Sequence, residues 1–378
     1  MLSKGFEIEM YTGTSSGDIV GLSDRITASL DGFMREPDSR NVEYITEPSY
    51  NYEQLLCGLV RPRLKLRQYL SQLGDYTLIP GSTLSLGDSN RFFRSDPTKE
   101  YHDYIERTYG TKVVTASVHI NVGMSNPELL IQACRLIRME APLFLALSAS
   151  SPFLDGKVTG YDSTRWQIFP HTPAEVPLFT SHADHIQWLE KQLATGTMQN
   201  VRHLWASVRP NGDRRPYNLN RLELRICDLV ADPIALLAIM AFLEARLLQL
   251  IDNPSLDPLN QNNFSPTELV SITRQNEIAA AKSSLDAQFI RWQDGKTIRT
   301  RDWIGELYEQ VLPIAKQHGF SCFLSHLTKI LQKGNEAQRW LQLRSVGIST
   351  RSVIAQAINN TRERETELED KLCPPLPA

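Results

Sequence analysis

The sequence predicts an α+β fold in which a sheet-rich part precedes a helical part. The first ~230 residues contain segments of alternating polar and apolar side chains, separated by loops rich in glycine, proline, serine and aspartate. In the last ~150 residues the apolar side chains recur at helical spacing. We therefore expect residues 1–230 and 231–378 to form two parts of a single domain, because no clean boundary separates them.

Two strand candidates carry polar side chains on one face. In residues 5–11, Glu7 and Glu9 share a face, and the opposite face is apolar. Neighbouring carboxylates repel, so this face either meets solvent or holds a divalent cation. Residues 113–123 predict another strand, with His119 on a polar face. Taken alone, Glu7 and Glu9 are more typical of a solvated face, and His119 of a hydrogen-bonded core histidine.

The segment 221–228 is the most informative stretch of the chain. Its alternation places Arg221, Glu223 and Arg225 on one strand face. Such charges are costly to bury without partners, so the row predicts bound ions or a charged ligand. A structural ion pair between Glu223 and Arg225 is the alternative.

Helix starts are marked by a capping side chain followed by proline. This pattern predicts helices beginning at Pro127, Pro233 and Pro266. The first helix is expected to end at Arg138, and residues 142–147 to form a buried connection or strand.

Composition limits the classes of partner. The formal net charge is −3 with a pI near 6.3, which gives no reason to expect nucleic-acid binding. The most apolar window contains Glu244 and Arg246, so we interpret it as a buried helix and expect no membrane span. The five cysteines form no CxxC pair, and no signal peptide is evident. We therefore expect reduced thiols, no structural zinc and a cytoplasmic location.

Further candidate site residues lie in loops. The hydroxyl-rich loop 147–165 ends in Arg165, whose guanidinium can grip a carboxylate or phosphate through two parallel hydrogen bonds. Alternatively, Arg165 caps a helix or covers apolar surface. A Pro- and Tyr-rich loop adds Glu47 and Glu53 to the carboxylates, and Glu43 could replace either.

Together these motifs resemble the glutamate–cysteine ligases of the bacterial and cyanobacterial branch of the carboxylate-amine ligase family. The resemblance rests on motifs that occur in the same order over about the first 230 residues. These are Gly5-Phe6-Glu7-Ile8-Glu9, Thr46-Glu47-Pro48 with Glu53, His119-Ile120-Asn121-Val122-Gly123, residues 147–165 and Glu223-Leu224-Arg225-Ile226-Cys227-Asp228. The absence of a GxxxxGK[ST] phosphate loop agrees with it.

The resemblance implies a single catalytic domain, 1–378, built on an antiparallel saddle-like sheet of the glutamine synthetase type with flanking helices. Family members use ATP and Mg²⁺ to phosphorylate the γ-carboxylate of glutamate. The amine of cysteine then displaces phosphate and gives γ-glutamylcysteine, the first step of glutathione biosynthesis. The implied partners are these small molecules alone, and the oligomeric state is not predicted.

The resemblance also implies roles for individual residues. The expected metal ligands are Glu7, Glu9, Glu47, Glu53, His119 and Glu223. Arg225 is expected to contact the transferring phosphate and, with Arg221, the nucleotide. Arg165 is expected to bind the α-carboxylate of an amino-acid substrate, and Asp228 to orient the site. Lesser substrate contacts are expected from Ser148, Ser150, Thr159 and Ser163.

Other functions fit the same residue types. One is a carboxylate-amine ligase that uses the same machinery with a different amine or acid. Another is a metal-dependent amide hydrolase, since carboxylates, a histidine and arginines can also activate water. A third is a non-catalytic relative that binds glutamate or nucleotide as a sensor. ADP release that requires both amino acids would exclude the hydrolase.

Overall fold

The computed structural model describes residues 1–260 and 263–373, and its strands form one main sheet and two small ones. The strands are β1 (Lys4–Thr14), β2 (Phe33–Arg35), β3 (Asn41–Ile45), β4 (Tyr76–Ile79), β5 (Val118–Gly123), β6 (Phe153–Leu154), β7 (Lys157–Val158), β8 (Val208–Asn211), β9 (Arg221–Leu224), β10 (Gln288–Ile290) and β11 (Thr297–Arg299). Within the described residues, the main sheet has seven strands in the order β2-β3-β1-β5-β9-β8, and β4 also pairs with β1. All its pairings are antiparallel.

Helices surround the sheet and dominate the second part of the chain. They are α1 (Ser23–Ser29), α2 (Tyr52–Leu73), α3 (Glu100–Tyr109), α4 (Pro127–Ser148), α5 (Thr164–Ile168), α6 (His182–Ala194), α7 (Pro233–Asp252), α8 (Pro266–Ser283), α9 (Thr300–Gln317), α10 (Ser321–Ser325), α11 (Leu327–Lys333), α12 (Glu336–Ser345) and α13 (Thr350–Leu372). Short 3₁₀ helices lie at Gly110–Val113, Val201–His203, Pro254–Leu256, Pro258–Asn260 and Ser284–Asp286. The predicted fold class, an antiparallel sheet followed by a helical part, is confirmed.

The main sheet has one apolar and one polar face. Its apolar side chains are fully buried and include Phe6, Ile8, Ile120, Val122 and Leu222. Helix α7 packs against both α2 and α4, and α4 contacts β8 and β9. Because side chains alternate along a strand, burial of this face leaves the polar face for a site.

The apolar helix α7 is a core helix. Over its most apolar window the mean hydropathy is 2.0, which is sufficient for a membrane span, but 83% of that window is buried inside the protein. Its buried charged side chains are paired: Glu244 lies 2.8 Å from Lys4 Nζ, and Arg246 forms an ion pair with Glu140. The predicted buried helix is therefore what the structure shows.

Other boundaries differ from the sequence predictions. Helix α4 continues to Ser148 through Pro142, whereas the sequence predicted an end at Arg138. Nearly every residue of this stretch is buried, so tertiary packing outweighs the hydrogen bond that proline removes. Strand β5 begins at Val118 rather than 113, because residues 110–113 form a 3₁₀ helix. The predicted helix starts at Pro127, Pro233 and Pro266 are confirmed.

The expectation of reduced thiols throughout is wrong. Cys57 of α2 and Cys373 at the end of α13 form a disulfide, although they are 316 residues apart. Spacing along the chain cannot reveal this pair, because it depends on the packing of α13 against α2. In the described part of the chain, Cys134, Cys227 and Cys322 are free.

This pairing predicts the thiol count. Protein unfolded without reductant is expected to react with a thiol reagent at about three cysteines, because two are oxidised. After reduction the count should rise to all five. A Cys373→Ser variant gives the matched control, with about four reactive thiols before reduction. Five reactive thiols in the unreduced wild type would contradict the disulfide.

Candidate active site

An acidic cluster, defined as Glu7, Glu9, Glu36 and Glu43, lies on the polar face of the sheet. Antiparallel register places Glu9 of β1 directly opposite Glu43 of β3. Glu36 follows β2, and its carboxyl group is hydrogen-bonded to that of Glu43. Glu7 lies opposite His119 of β5, with His119 Nδ1 3.0 Å from Glu7 Oε2. The cluster thus joins residues from two strands and one loop, and His119 of β5 contacts it.

The electrostatics of this cluster favour a cation. Burial, together with the charges of Glu36, Glu9 and Glu7, raises the pKa of Glu43 to about 10. Burial also raises the pKa values of Glu36 and Glu9. These carboxyl groups therefore resist ionisation when no cation accompanies them. Carboxylate oxygens are the ligands that Mg²⁺ and similar hard cations prefer, so the donor set fits such an ion.

Glu7, His119 and Glu223 form a second candidate metal group. Each can present a ligand atom within 4.8 Å of the others. His119 Nδ1 lies 3.8 Å from Glu223 Oε1, and His119 Nε2 lies 3.1 Å from the hydroxyl of Ser117. Burial acts to raise the pKa of Glu7, but the hydrogen bond to His119 and nearby positive charges lower it overall. His119 therefore connects the acidic cluster to Glu223.

Glu223 is fully buried and is held by arginines. Arg209 of β8 donates to both carboxylate oxygens, through Nε at 2.7 Å and Nη2 at 3.1 Å. Asn211 donates to Oε2 at 2.6 Å, and Arg225 donates to Oε1. Burial opposes ionisation of Glu223, but the charges of Arg209 and Arg225 hold its pKa well below the ordinary value. Glu223 is therefore ionised and firmly positioned.

An arginine cluster, defined as Arg202, Arg209, Arg215, Arg221 and Arg225, surrounds Glu223. Burial lowers the pKa of Arg215, and the charges of Arg225, Arg202 and Arg221 lower it further. Nη1 of Arg215 is enclosed and lacks a hydrogen-bond partner in the described ranges. Arg202 is exposed, and the Arg221 side chain is 33% exposed. This excess of positive charge next to the acidic cluster suits an anionic ligand.

Arg165 occupies a different place from the one expected. It is 2% exposed, and its two terminal nitrogens each donate at 3.0 Å to a backbone carbonyl, of Ile226 and of Arg225. These nitrogens are thus engaged within the protein rather than presented to a substrate. In this arrangement Arg165 supports the segment that carries Arg225.

The serines of the hydroxyl-rich loop likewise have internal partners. Ser151 and Ser163 donate to the buried carboxylate of Asp228 at 2.7 and 2.9 Å, and the backbone N–H of Ser150 donates to it at 3.0 Å. The Ser148 hydroxyl accepts from the Asp228 N–H, and Thr159 bonds to Thr164. The loop is therefore built around Asp228, which explains its density of hydroxyl groups.

Glu47 and Glu53 lie outside the acidic cluster. Both are exposed; Glu47 follows the end of β3, and Glu53 lies in the first turn of α2. A carboxylate at a helix start is favoured by the helix dipole, which accounts for Glu53 without a ligand. Glu36 and Glu43 lie on the polar face instead, so the expectation of Glu47 and Glu53 as metal ligands is replaced by these two residues.

Sequence reasoning missed Glu36, Arg202, Arg209 and Arg215. Glu36 follows a strand of three residues, which is too short for alternation to be visible. The three arginines fall within 202–215, an arginine-rich stretch just before the charged strand. This enrichment in arginine was the one signal in the sequence that pointed to these three residues.

Comparison with solved structures identifies the fold. The glutamate–cysteine ligase of Francisella tularensis, solved in complex with AMP, aligns with a TM-score of 0.78 at 12% identity over 99% of this chain and 90% of that chain. A bifunctional glutathione synthetase from Pasteurella multocida aligns at 0.74 with 15% identity, over 98% of this chain and 53% of the other. The fold is thus that of the glutamate–cysteine ligases.

Sequence comparison gives the family. The model of glutamate–cysteine ligase family 2 matches residues 3–367, and the chain belongs to this family of ligases. A Rubrobacter xylanophilus protein, provisionally named glutamate–cysteine ligase 2-1, is 28% identical over 79% of this chain and 78% of its own length. A Gloeobacter violaceus protein, provisionally named glutamate–cysteine ligase 2, is 29% identical over 69% of each chain.

Proposed function

We propose that this protein is an ATP-dependent ligase that joins the γ-carboxylate of L-glutamate to the amine of L-cysteine. The products are γ-glutamylcysteine, ADP and phosphate, and the reaction is the first step of glutathione biosynthesis in the cytoplasm. The observation that carries the proposal is the adjacency of the acidic cluster and the arginine cluster on one sheet face. Carboxylates can hold divalent cations, and arginines can bind phosphate oxygens, so the two together suit phosphoryl transfer.

The proposed metal ligands are Glu7, Glu9, Glu36, Glu43, His119 and Glu223. Bound Mg²⁺ would supply charge that neutralises phosphate oxygens during transfer. The crowded carboxyl groups around Glu43 support this assignment, because a divalent cation would relieve their mutual repulsion.

The proposed reaction has two steps. The γ-phosphoryl group moves from ATP to a γ-carboxylate oxygen of glutamate, and ADP leaves. The amine nitrogen of cysteine then attacks the activated carbonyl carbon, phosphate leaves with the former carboxylate oxygen, and the amine loses a proton. Both steps concentrate negative charge on the phosphoryl group.

Arg225 is the residue best placed to stabilise that charge. Its side chain is 13% exposed, it bonds to Glu223, and Nη1 lies 3.4 Å from His119 Nδ1. We assign Arg225 to the transferring phosphate, and Arg215 and Arg221 to the nucleotide phosphates. Arg165 acts as a positioning residue, through its hydrogen bond to the Arg225 carbonyl.

The deciding experiment measures Mg²⁺-dependent ADP release with glutamate alone, with cysteine alone and with both, and identifies the product by mass. Release that needs both substrates, with γ-glutamylcysteine formed, is expected. Release only when another amine replaces cysteine would favour the same machinery with a different substrate. Hydrolysis of an amide without ATP would favour the hydrolase and contradict the proposal.

Metal binding is expected to change thermal stability. Mg²⁺ should raise the melting temperature of the wild type, because a ligand that binds only the folded state stabilises it. Glu43→Gln should remove most of this increase without lowering the metal-free melting temperature, since it removes a crowded carboxyl group and keeps its shape. Exposed Glu53→Gln is the control and should keep the full increase. Equal Mg²⁺ effects in both variants would argue against Glu43 as a ligand.

A further inference from the structure

A cavity of about 530 Å³ lies between α12, α13 and the start of α7, and shares no residue with the candidate active site. Its volume falls within the range of about 300–1,000 Å³ typical of small-molecule sites. Its walls combine apolar side chains, among them Leu343 and Val353, with charged ones, among them Glu336 and Arg339. The cavity is therefore neither a purely apolar groove nor a solely acidic patch.

One buried polar atom at the cavity lacks a hydrogen-bond partner in the part of the chain that the structure describes. Oε2 of Glu336, which lines the cavity, is enclosed without a hydrogen-bond partner in the described chain. Nη2 of Arg63 and Oε1 of Glu365 also have no hydrogen bond there, but these two side chains form a buried ion pair, with 3.7 Å between Arg63 Nη1 and Glu365 Oε1. An enclosed polar atom without a hydrogen-bond partner is unfavourable, so Glu336 Oε2 indicates a place for a bound group.

The charged groups that line the cavity suit a ligand with both hydrogen-bond donors and acceptors. Burial raises the pKa of Glu336 to about 7, so its carboxyl group can accept from or donate to a ligand at neutral pH. Arg339 is exposed. Within the described residues its guanidinium donates one hydrogen bond, from Nη1 to the Gly334 carbonyl at 3.2 Å. Its remaining N–H groups can hold a carboxylate. Arg364, by contrast, is paired with Glu367 at 2.8 Å.

We propose that this cavity binds a small zwitterion of the amino-acid type. The ammonium group would lie at Glu336, the carboxylate at Arg339, and the side chain against the apolar wall. The occupant is a free amino acid or a short peptide with the same two end groups.

Helix α12, which lines the cavity, is hydrogen-bonded to the loop that carries Asp228's partners. Helix α12 supplies Glu336 and Arg339 to the cavity, and its Ala337 N–H donates to the Ala149 carbonyl at 3.0 Å. The next residue after Ala149 holds the Asp228 carboxylate through its backbone N–H. An occupant of the cavity would thus contact a helix bonded directly to this loop.

Calorimetric titration of the full chain at pH 7 tests the proposal, with each of the twenty protein amino acids and with γ-glutamylcysteine added singly. At least one compound should bind the wild type. Its affinity should fall by at least about tenfold in Glu336→Gln and in Arg339→Gln, because each removes one charged contact. Glu363→Gln, an exposed change on α13, is the matched control and should bind as the wild type does.

Titrations with single amino acids and with the dipeptide show which of the two kinds of zwitterion binds. The titration measures binding without turnover, so the test remains valid even if the ligase proposal fails. Arg339 is exposed, so its variant should fold, which a melting curve checks. No binding by any compound, or binding of equal strength in both cavity variants, would overturn the proposal. In that case ordered water alone satisfies the enclosed oxygen of Glu336.

Discussion

An Arg225→Lys variant is expected to lose about 10²–10³-fold in kcat/KM for the proposed ligase reaction. Arg225 donates a hydrogen bond to Glu223 and lies in a partly open position beside His119. Its guanidinium can therefore contact a bound phosphate while Glu223 holds it in place. Lysine keeps the positive charge but lacks the planar fork, and removal of one positioned donor to a developing charge typically has an effect of this size. Steady-state kinetics of ADP release measure the loss.

The matched control is Arg214→Lys, an exposed arginine from the loop next to the arginine cluster. Its kcat/KM should stay within about twofold of the wild type, because surface changes away from a site have small effects. The melting temperature of Arg225→Lys should remain near that of the wild type, which separates lost chemistry from lost folding. A kcat/KM for Arg225→Lys close to the control would remove Arg225 from the transferring phosphate.

Glu223→Gln is expected to have the largest effect on stability, about 3–5 kcal/mol in the free energy of unfolding. Glu223 is fully buried between Arg209 and Arg225, and glutamine would turn an amide N–H₂ toward one of these donors. The arginines would then lie buried without their counter-charge, which is far less favourable than the intact pair. Denaturant unfolding of the variant and of exposed Glu53→Gln measures the difference.

A change below about 1 kcal/mol in Glu223→Gln would show that the arginines keep their hydration or find another anion. Turnover should fall as well, since Glu223 is also a proposed metal ligand. The control should differ from the wild type by no more than about 0.5 kcal/mol, as is usual for an exposed side chain.

Local signals in the sequence were reliable where short-range chemistry decides the structure. The helix starts at Pro233 and Pro266 follow from a cap and a proline, and both are found. The charged row was also visible, although β9 ends at Leu224. After Leu224, the N–H groups of Arg225 and Ile226 both donate to the Ser207 carbonyl. The alternation of side chains cannot predict such a long-range contact.

The remaining differences arise from contacts distant in sequence. Strand pairing determines which acidic residues lie beside Glu7 and Glu9. It places Glu43, and not Glu47, directly opposite Glu9. The chemistry of Arg165 suits an anionic substrate, but the direction of its side chain depends on the carbonyl groups it meets after folding. The residue types therefore indicated the kind of site, and the register of the strands determined which residues form it.

The link between Cys57 and Cys373 encloses 316 residue steps, almost the whole chain, in one covalent ring. A ring of this length restricts the denatured ensemble strongly in the loop-entropy description. The oxidised chain is therefore expected to unfold to a more compact ensemble than the reduced chain, and to expose less new surface. Its denaturant m-value should be correspondingly smaller, so unfolding curves are comparable only between preparations of the same oxidation state.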